Sequence, residues 1–144
     1  MNLSNKLDDF IYSYEHDLDT IISRPEKIYT EDIYFKDPFC EIQNIHHFKK
    51  HYEKSFNKIL FPEFKITNKI LNNDQAFLVW DFYFKFKKSK KEVQTIKGVS
   101  HIIFETNGLV KYHRDYWDPI EEIFIKLPLI GFIFKKLIKI NITS

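Results

Sequence analysis

The fold of this 144-residue sequence is decided by one stretch, which reads GVSHIIF at 98–104, TNG at 106–108 and LVKYHRDYW at 109–117. Apolar and polar residues alternate on both sides of Asn107-Gly108, and a period of two is typical of strands with one buried face. An Asn-Gly pair between two such segments favours a tight turn. The stretch therefore predicts an antiparallel hairpin with strands at Val93–Phe104 and Leu109–Trp117.

The same period of two extends upstream of this hairpin. It predicts two further strands, at Phe64–Leu71 and Gln75–Phe86, and the segments between the strands, 72–74 and 88–91, are polar and turn-forming. Because the connections are this short, neighbouring strands must run antiparallel. The second half of the chain is thus expected to be a four-stranded meander.

The first half of the chain carries helical patterns instead. Apolar residues follow steps of three and four through the first 22 residues, which predicts one long amphipathic helix. Ser23–Glu26 matches a capping box and predicts a short second helix through Tyr29. A third helix is expected over Ile45–Asn57, and Pro62 closes that segment. Helices followed by a meander give an α+β architecture.

Composition indicates a single domain over residues 1–144, with a core at about 5–118 and an apolar, basic tail at 119–144. Aromatic residues make up 17% of the chain, and rings in this number fill a core or line an apolar cavity. The net charge is only +2, so no nucleic-acid partner is expected. In the tail, 132–140 predicts a short helix that packs on the sheet or, alternatively, lies on a membrane surface or a partner.

The chain is expected to be cytoplasmic. Its first residues, MNLSNKLDDF, lack the basic and apolar regions of a signal peptide. No apolar run approaches the ~18 residues of a membrane span, so no stable membrane insertion is expected. Cys40 is the single cysteine, which argues against a disulfide and against a thiolate metal site. Glycine motifs for phosphates or dinucleotides are absent from the sequence, and no cofactor is expected.

Two motifs carry a resemblance to a known family. FKDPF at Phe35–Phe39 ends a short strand predicted at Ile33–Lys36, and it resembles the strand-ending DP element of SnoaL-like and ketosteroid isomerase-like domains. The hairpin that closes on HRDYWD at His113–Asp118 resembles the closing hairpin of the same group, the nuclear transport factor 2-like proteins. Over about residues 5–118 the resemblance implies a cystatin-like cone, in which a strongly bent antiparallel sheet packs against N-terminal helices around one pocket.

The resemblance also implies site residues. Ketosteroid isomerases of this group use an Asp base at the DP element, which is Asp37 here. Their oxyanion hole combines a first-helix Tyr, matched by Tyr14 or Tyr12, with a protonated acid on the penultimate strand. Ser100 stands at that acid position, and a serine hydroxyl is a poorer partner for a developing enolate. This departure argues against steroid isomerisation, whereas Asp37 or Asp115 could serve the acid–base chemistry of SnoaL-like cyclases.

Strand alternation assigns the side chains of the meander to two faces. The inner face is expected to hold five aromatic residues that wall an apolar cavity: Trp80, Phe82, Phe84, Phe104 and Trp117. Four polar residues are expected among them: Asp37, Ser100, His113 and Asp115. An apolar pocket with a few polar groups suits a small hydrophobic ligand.

The polar candidates have structural alternatives. Asp37 is either a general base or the cap of its own turn. His113 and Asp115 share one strand face, so they form either an acid–base pair or a structural hydrogen bond. His47 and His51 stand one helical turn apart, as a metal-binding pair would, but no third ligand has a matching spacing. No metal site is therefore predicted.

The sequence leaves two functions open. The first is a SnoaL-like domain that binds a small hydrophobic molecule and isomerises, cyclises or hydrates it by acid–base chemistry. The second is a non-catalytic scaffold or protein-interaction module. On the outer sheet face, Asp81, His101 and Arg114 are expected to form a row beside apolar residues, and such a face predicts a homodimer through the sheet.

Overall fold

The computed structural model describes residues 1–123 together with residues 132, 133, 135, 136 and 139. The tail helix predicted over 132–140 falls partly outside these described residues, and the segment that leads to it does so entirely. Within the described part of the chain, every helix is too short or too polar to cross a bilayer.

Three of the α-helices in the described part of the chain precede the meander, and a short fourth one follows it. The helices are α1 (Leu3–His16), α2 (Leu18–Ser23), α3 (Ile45–Phe56) and α4 (Pro119–Glu122), and a short 3-10 helix spans Pro25–Lys27. The strands are β1 (Tyr29–Lys36), β2 (Glu41–Gln43), β3 (Ile59–Asn72), β4 (Gln75–Phe86), β5 (Ser89–Phe104) and β6 (Val110–Tyr116).

Six strands form one sheet in the order β2-β1-β6-β5-β4-β3. β3 to β6 make the antiparallel meander that the alternation predicts. β1 joins the free side of β6 in parallel, with Phe35 opposite His113, because the long segment between the two strands lets the chain re-enter the sheet in the same direction. The predicted α+β architecture is confirmed, and this parallel pair makes the sheet mixed.

The predicted first helix is divided in two. α1 ends at His16 and α2 begins at Leu18, because Asp17 leaves the helical region with φ −142° and ψ 48°. Buried residues follow the same apolar stripe on both sides of the break: Leu7, Phe10, Tyr14 and Ile21. The spacing of apolar residues therefore does not reveal the break.

The capping box predicted at Ser23 is absent. Ser23 Oγ donates to the backbone oxygen of Asp19 at 2.6 Å, and the 3-10 helix that follows has no side-chain cap. β1 begins at Tyr29, where the sequence predicts the end of a helix. β2 is not predicted either, because a strand of three residues is too short to show alternation.

β3 begins before Pro62 rather than after it. The strand starts at Ile59, and its register against β4 shifts between Leu60 and Glu63, where Phe61 has a φ of 53°. The shift marks a bulge around the proline. β3 lies at the edge of the sheet, and an edge strand tolerates a proline because one side of it has no ladder partner.

The core lies between the helices and the inner face of the sheet. Tyr29 and Phe35 from β1 and Phe48 from α3 are among its largest fully buried side chains. The ring of Phe48 lies 4.6 Å from that of Tyr29 and 5.4 Å from that of Phe35, measured between centroids. These contacts fix α3 over β1.

Gly98 lets the Trp80 ring lie directly on the backbone of β5. A Cβ at this position would lie 2.5 Å from Trp80 Cη2 and 3.0 Å from the Tyr116 carbonyl oxygen. Trp80 is buried and hydrogen-bonded to Ser100, so its ring has little freedom to move. We expect Gly98→Ala to lower the free energy of unfolding by about 1–3 kcal/mol, measured by urea denaturation. An unchanged midpoint would show that the ring relaxes without cost.

Candidate functional site

A cavity of about 240 Å³ opens between α3 and the inner face of the sheet. Most of its lining is aromatic or aliphatic: Phe35, Phe39, Tyr52, Phe56, Ile59, Phe64, Trp80, Phe82, Phe84, Ile96 and Trp117. Four further polar residues share the lining: Asp37, His51, Ser55 and Asp115. Pockets for drug-sized ligands occupy about 300–1,000 Å³, so this cavity suits a smaller, mainly apolar molecule.

Strand alternation accounts for most of this lining. β4 directs alternate residues into the cavity. Asp115 near the end of β6 contributes a carboxylate, and Trp117, one residue past the strand, contributes an indole. The structure thereby brings together six residues that the sequence singles out: Asp37, Asp115, Trp80, Phe82, Phe84 and Trp117.

Phe104 does not line this cavity, contrary to the prediction. It is buried at the far end of β5, where the register against β6 shifts after Ile103. Alternation along a strand identifies the face of the sheet on which a side chain lies, but it does not give the position of the cavity along the strand. Tyr12, the alternative to Tyr14 on the first helix, is 63% exposed and points away from the core.

Asp115 is held in the cavity wall by two donors. Ser100 Oγ donates to its Oδ1 at 2.5 Å, and His113 Nε2 donates to the same oxygen at 2.7 Å. Trp80 Nε1 in turn donates to Ser100 Oγ at 2.8 Å. Both of these hydrogen bonds to the carboxylate end on Oδ1.

A buried hydrogen-bond chain continues behind Asp115. His113 donates through Nε2, so its Nδ1 accepts from the Tyr29 hydroxyl at 2.9 Å. Tyr29 then accepts from Tyr14 at 2.5 Å, and Tyr14 accepts from Tyr52 at 2.8 Å. With His113 assigned as the Nε2–H tautomer, every donor in the chain points toward the carboxylate. The tyrosines and His113 therefore act as one support for Asp115.

Burial keeps the three tyrosine hydroxyls protonated. Desolvation raises the pKa values of Tyr14, Tyr29 and Tyr52 well above the ordinary 10.0, and the negative charge of Asp115 adds to each shift. Because the folded pKa values exceed the unfolded ones, the stability from these groups is present below pH 10 and is lost as the pH rises above it. At neutral pH the hydroxyls serve as donors and not as bases.

Ser100, His113 and Tyr14 do not line the cavity of about 240 Å³ described above. They border a second, smaller cavity of about 20 Å³, which Asp115 and Trp80 also line. A space of this volume holds a single water molecule. The structure therefore places these three predicted site residues behind Asp115 and not in the lining of the 240 Å³ cavity.

Asp37 lies in the turn between β1 and β2. Its Oδ1 accepts from the backbone nitrogens of Phe39 and Cys40 at 2.8 Å and 2.9 Å, which is the capping arrangement. Its own N–H donates to the Cys40 carbonyl oxygen at 3.0 Å. Its Oδ2 lies 3.9 Å from His51 Nε2. One carboxylate oxygen thus holds the turn, while the other lies near a cavity residue.

Cys40 and His51 are neighbours that the sequence does not bring together. Cys40 Sγ lies 3.4 Å from His51 Nε2. Burial, reinforced by the adjacent Asp37 carboxylate, raises the pKa of the Cys40 thiol to about 12. The thiol is therefore protonated at neutral pH and is a poor nucleophile. The sequence does show Cys40 three residues after Asp37 in one predicted turn. It does not show that this turn lies opposite His51 on α3, because that depends on the fold.

The outer face of the sheet differs from the prediction. Arg114 lies opposite His101, but Asp81 lies opposite Lys97, with which it forms an ion pair at 3.7 Å. The predicted row of Asp81, His101 and Arg114 is wrong, because alternation gives the face of a residue and not its register. Three large apolar side chains on this face are 39%, 41% and 47% exposed: Phe77, Val79 and Tyr116.

Comparisons with known proteins give matches among solved structures. No protein-family model matches the chain, and no curated protein matches it. A nuclear transport factor 2-like protein of unknown function from Cytophaga hutchinsonii is 14% identical, with a TM-score of 0.60 over 83% of this chain and 92% of its own. A proposed SnoaL-like polyketide cyclase from Shewanella putrefaciens is 18% identical, with a TM-score of 0.64 over 82% and 91%.

A third structure is similar over a comparable length. It is a Catenulispora acidiphila protein with a ketosteroid isomerase-like fold, in complex with trimethylamine, and it is 9% identical, with a TM-score of 0.71 over 85% of this chain and 93% of its own. At these identities the likeness is one of fold.

Proposed function

We propose that this chain, which has the nuclear transport factor 2-like fold, binds a small hydrophobic molecule in its aromatic cavity and transfers a proton on it by acid–base chemistry. The observation that carries the proposal is the way in which the Asp115 carboxylate is held in the cavity wall. Its Oδ1 is held by two donors, and the surrounding wall is mainly aromatic. We assign the other oxygen, Oδ2, to the ligand. A proposed SnoaL-like polyketide cyclase and a protein with a ketosteroid isomerase-like fold among the similar structures support this class of chemistry.

Asp115 is the base in this proposal. Its Oδ2 takes a proton from an acidic C–H or O–H of the ligand, or from a water molecule that adds to the ligand, and returns it to another atom of the same ligand. A positioned base of this kind contributes about 10²–10⁴ in rate. Ser100 and His113 act as positioning residues, because they hold the carboxylate in one orientation. Asp37 is a second carboxylate on the same cavity and the second candidate for the proton transfer.

A thermal-shift screen of small apolar carbonyl compounds tests the binding step, since a ligand that binds only the native state raises the melting temperature. Ser55→Phe places a ring in the cavity, which Ser55 lines. Ser4→Phe adds the same ring at an exposed position on α1. Compounds that bind in the cavity are expected to shift the wild type and Ser4→Phe but not Ser55→Phe.

Two outcomes of this screen would contradict the proposal. Shifts that persist in Ser55→Phe would place the ligand elsewhere on the chain. A complete lack of shifts across a broad set of apolar compounds would favour the alternative function, a non-catalytic scaffold whose sheet engages a partner.

We further propose that the outer face of the sheet pairs with a second copy of the chain. Rings already stack there, Tyr34 on Tyr112 with centroids 5.3 Å apart and Phe77 on His101 at 4.5 Å. An exposed apolar face of this kind is typical of an interface, and two-fold dimers are the commonest oligomers.

Phe77→Asp is expected to weaken this dimer by at least about tenfold, because it places a charge in an apolar contact. The measurement is light scattering across a range of protein concentrations. Phe61→Asp is the matched control, since Phe61 is 75% exposed in the β3 bulge, at the other end of that strand from Ile70, the residue opposite Phe77. A wild-type protein that scatters as a monomer at every concentration would refute the dimer.

A further inference from the structure

We infer a second binding site on the wall of this cavity, a site for a divalent transition-metal ion formed by Asp37, Cys40 and His51. The three side chains offer an oxygen, a sulfur and a nitrogen, and these atoms all lie within 4.8 Å of one another. The inference goes beyond the proposed function, because it requires neither the apolar ligand nor Asp115.

The distances suit a tetrahedral ion. Cys40 Sγ lies 3.4 Å from His51 Nε2, and His51 Nε2 lies 3.9 Å from Asp37 Oδ2. Zn²⁺ binds sulfur at about 2.3 Å and nitrogen or oxygen at about 2.0–2.2 Å, so neighbouring ligand atoms in a tetrahedron are about 3.3–3.8 Å apart. Two of the three separations are thus close to this range, and the ligand atoms of the remaining pair lie within 4.8 Å of each other.

The turn between β1 and β2 supports the ligands. Asp37 Oδ1 is held by the backbone nitrogens of Phe39 and Cys40, which leaves Oδ2 for the ion. The Asp37 N–H donates back to the Cys40 carbonyl oxygen and closes the turn. Hydrogen bonds of this kind around a metal site orient its ligands. All three ligand residues are partly buried.

The ligand set selects the class of ion. Imidazole and thiolate favour Zn²⁺ and related transition metals, whereas Mg²⁺ and Ca²⁺ prefer oxygen ligands throughout. On binding, the Cys40 thiol loses its proton to solvent and the sulfur bonds to the ion. Asp37 and His51 also line the cavity. A fourth position open toward the cavity, filled by water, is the arrangement of catalytic rather than structural zinc sites.

The i, i+4 pair His47 and His51 is the competing explanation for any metal that binds. His47 is exposed, and its Nδ1 lies 3.3 Å from the Asn44 side-chain nitrogen. A site made by this pair would use neither Asp37 nor Cys40. The two arrangements therefore differ in whether a thiolate bonds to the metal.

Metal titration of the full chain, first treated with a chelator, tests the inference. Zn²⁺ is added in competition with a chromophoric chelator, and Co²⁺ is added separately because cobalt–thiolate bonds absorb in the near ultraviolet. We expect one Zn²⁺ per chain and a thiolate–Co²⁺ band. Cys40→Ser should remove the band, and Cys40→Ser, Asp37→Asn and His51→Gln should each weaken Zn²⁺ binding by at least about 10–100-fold, the loss that follows even from removing an outer partner.

His46→Gln is the matched control, since His46 is an exposed histidine on the same helix. The affinity of the His46→Gln variant for Zn²⁺ should equal that of the wild type. Circular dichroism of each variant shows whether it has folded, and Cys40→Ala replaces Cys40→Ser if the latter has not. The inference would be overturned if Zn²⁺ binding survived the loss of Cys40 but was abolished by His47→Gln. It would also be overturned if the chain bound no stoichiometric Zn²⁺ at all. Ser55→Phe should retain the metal, so failure of the apolar ligand site leaves this test intact.

Discussion

Asp115→Asn should lower the rate of proton transfer on a bound compound by about 10²–10⁴ while leaving the fold intact. The amide cannot take up a proton at neutral pH. Both hydrogen bonds to Asp115 end on Oδ1, and the amide oxygen of Asn can accept them in the same place. The measurement is the rate at which deuterium from heavy water enters a cavity-binding carbonyl compound, followed by NMR.

Asp81→Asn is the control for this variant, because Asp81 lies on the outer face and pairs with Lys97. Its exchange rate should match that of the wild type. Asp37→Asn separates the two carboxylates of the cavity. If Asp115→Asn exchanges at the wild-type rate and Asp37→Asn does not, the base is Asp37 and our assignment to Asp115 is wrong.

Tyr29→Phe should lower the free energy of unfolding by about 2–4 kcal/mol. The Tyr29 hydroxyl links Tyr14 to His113 inside the core. Its removal leaves the imidazole Nδ1 without a donor and the Tyr14 hydroxyl without its acceptor, and each buried polar group left unpaired costs about 1–3 kcal/mol. Chemical denaturation measures the loss.

Tyr12→Phe is the matched control, since it makes the same chemical change at a side chain that is 63% exposed. Its stability should lie within about 0.5 kcal/mol of the wild type. If Tyr29→Phe is as stable as Tyr12→Phe, the hydrogen-bond chain is not a support for Asp115. Tyr29→Phe should also reduce the deuterium exchange rate less than Asp115→Asn does, because Tyr29 only positions the base.

The meander could be predicted from the sequence because the patterns that specify its strands and turns lie within short segments of the chain. Alternation gives the strands, and short polar segments such as Asn107-Gly108 give the turns, so β4 begins and ends where the sequence predicts. The pairing of β1 with β6 has no such signal, because it joins distant segments in parallel. The break at Asp17 is also hidden, since the apolar stripe continues across it.

The residues of the candidate site also fall into those that the sequence predicts and those that it does not. Alternation places Trp80, Phe82 and Asp115 on the inner face, and the structure has them in one cavity. Tyr29 and Tyr52 complete the chain behind Asp115 from β1 and α3, and no spacing in the sequence relates these elements to β6. The contact of Cys40 with His51 likewise depends on how α3 packs over the β1–β2 turn.

The parallel pairing of β1 with β6 has a consequence for the order of folding. Neighbouring strands of the meander close short loops, whereas the Tyr29–His113 bond joins residues 84 positions apart. Closing a longer loop costs more chain entropy, and contacts that are distant in sequence form slowly. We therefore expect the meander to assemble first and β1 to dock last. Asp115 would acquire its buried support only in that final step, so competence to hold a ligand would arise at the end of folding.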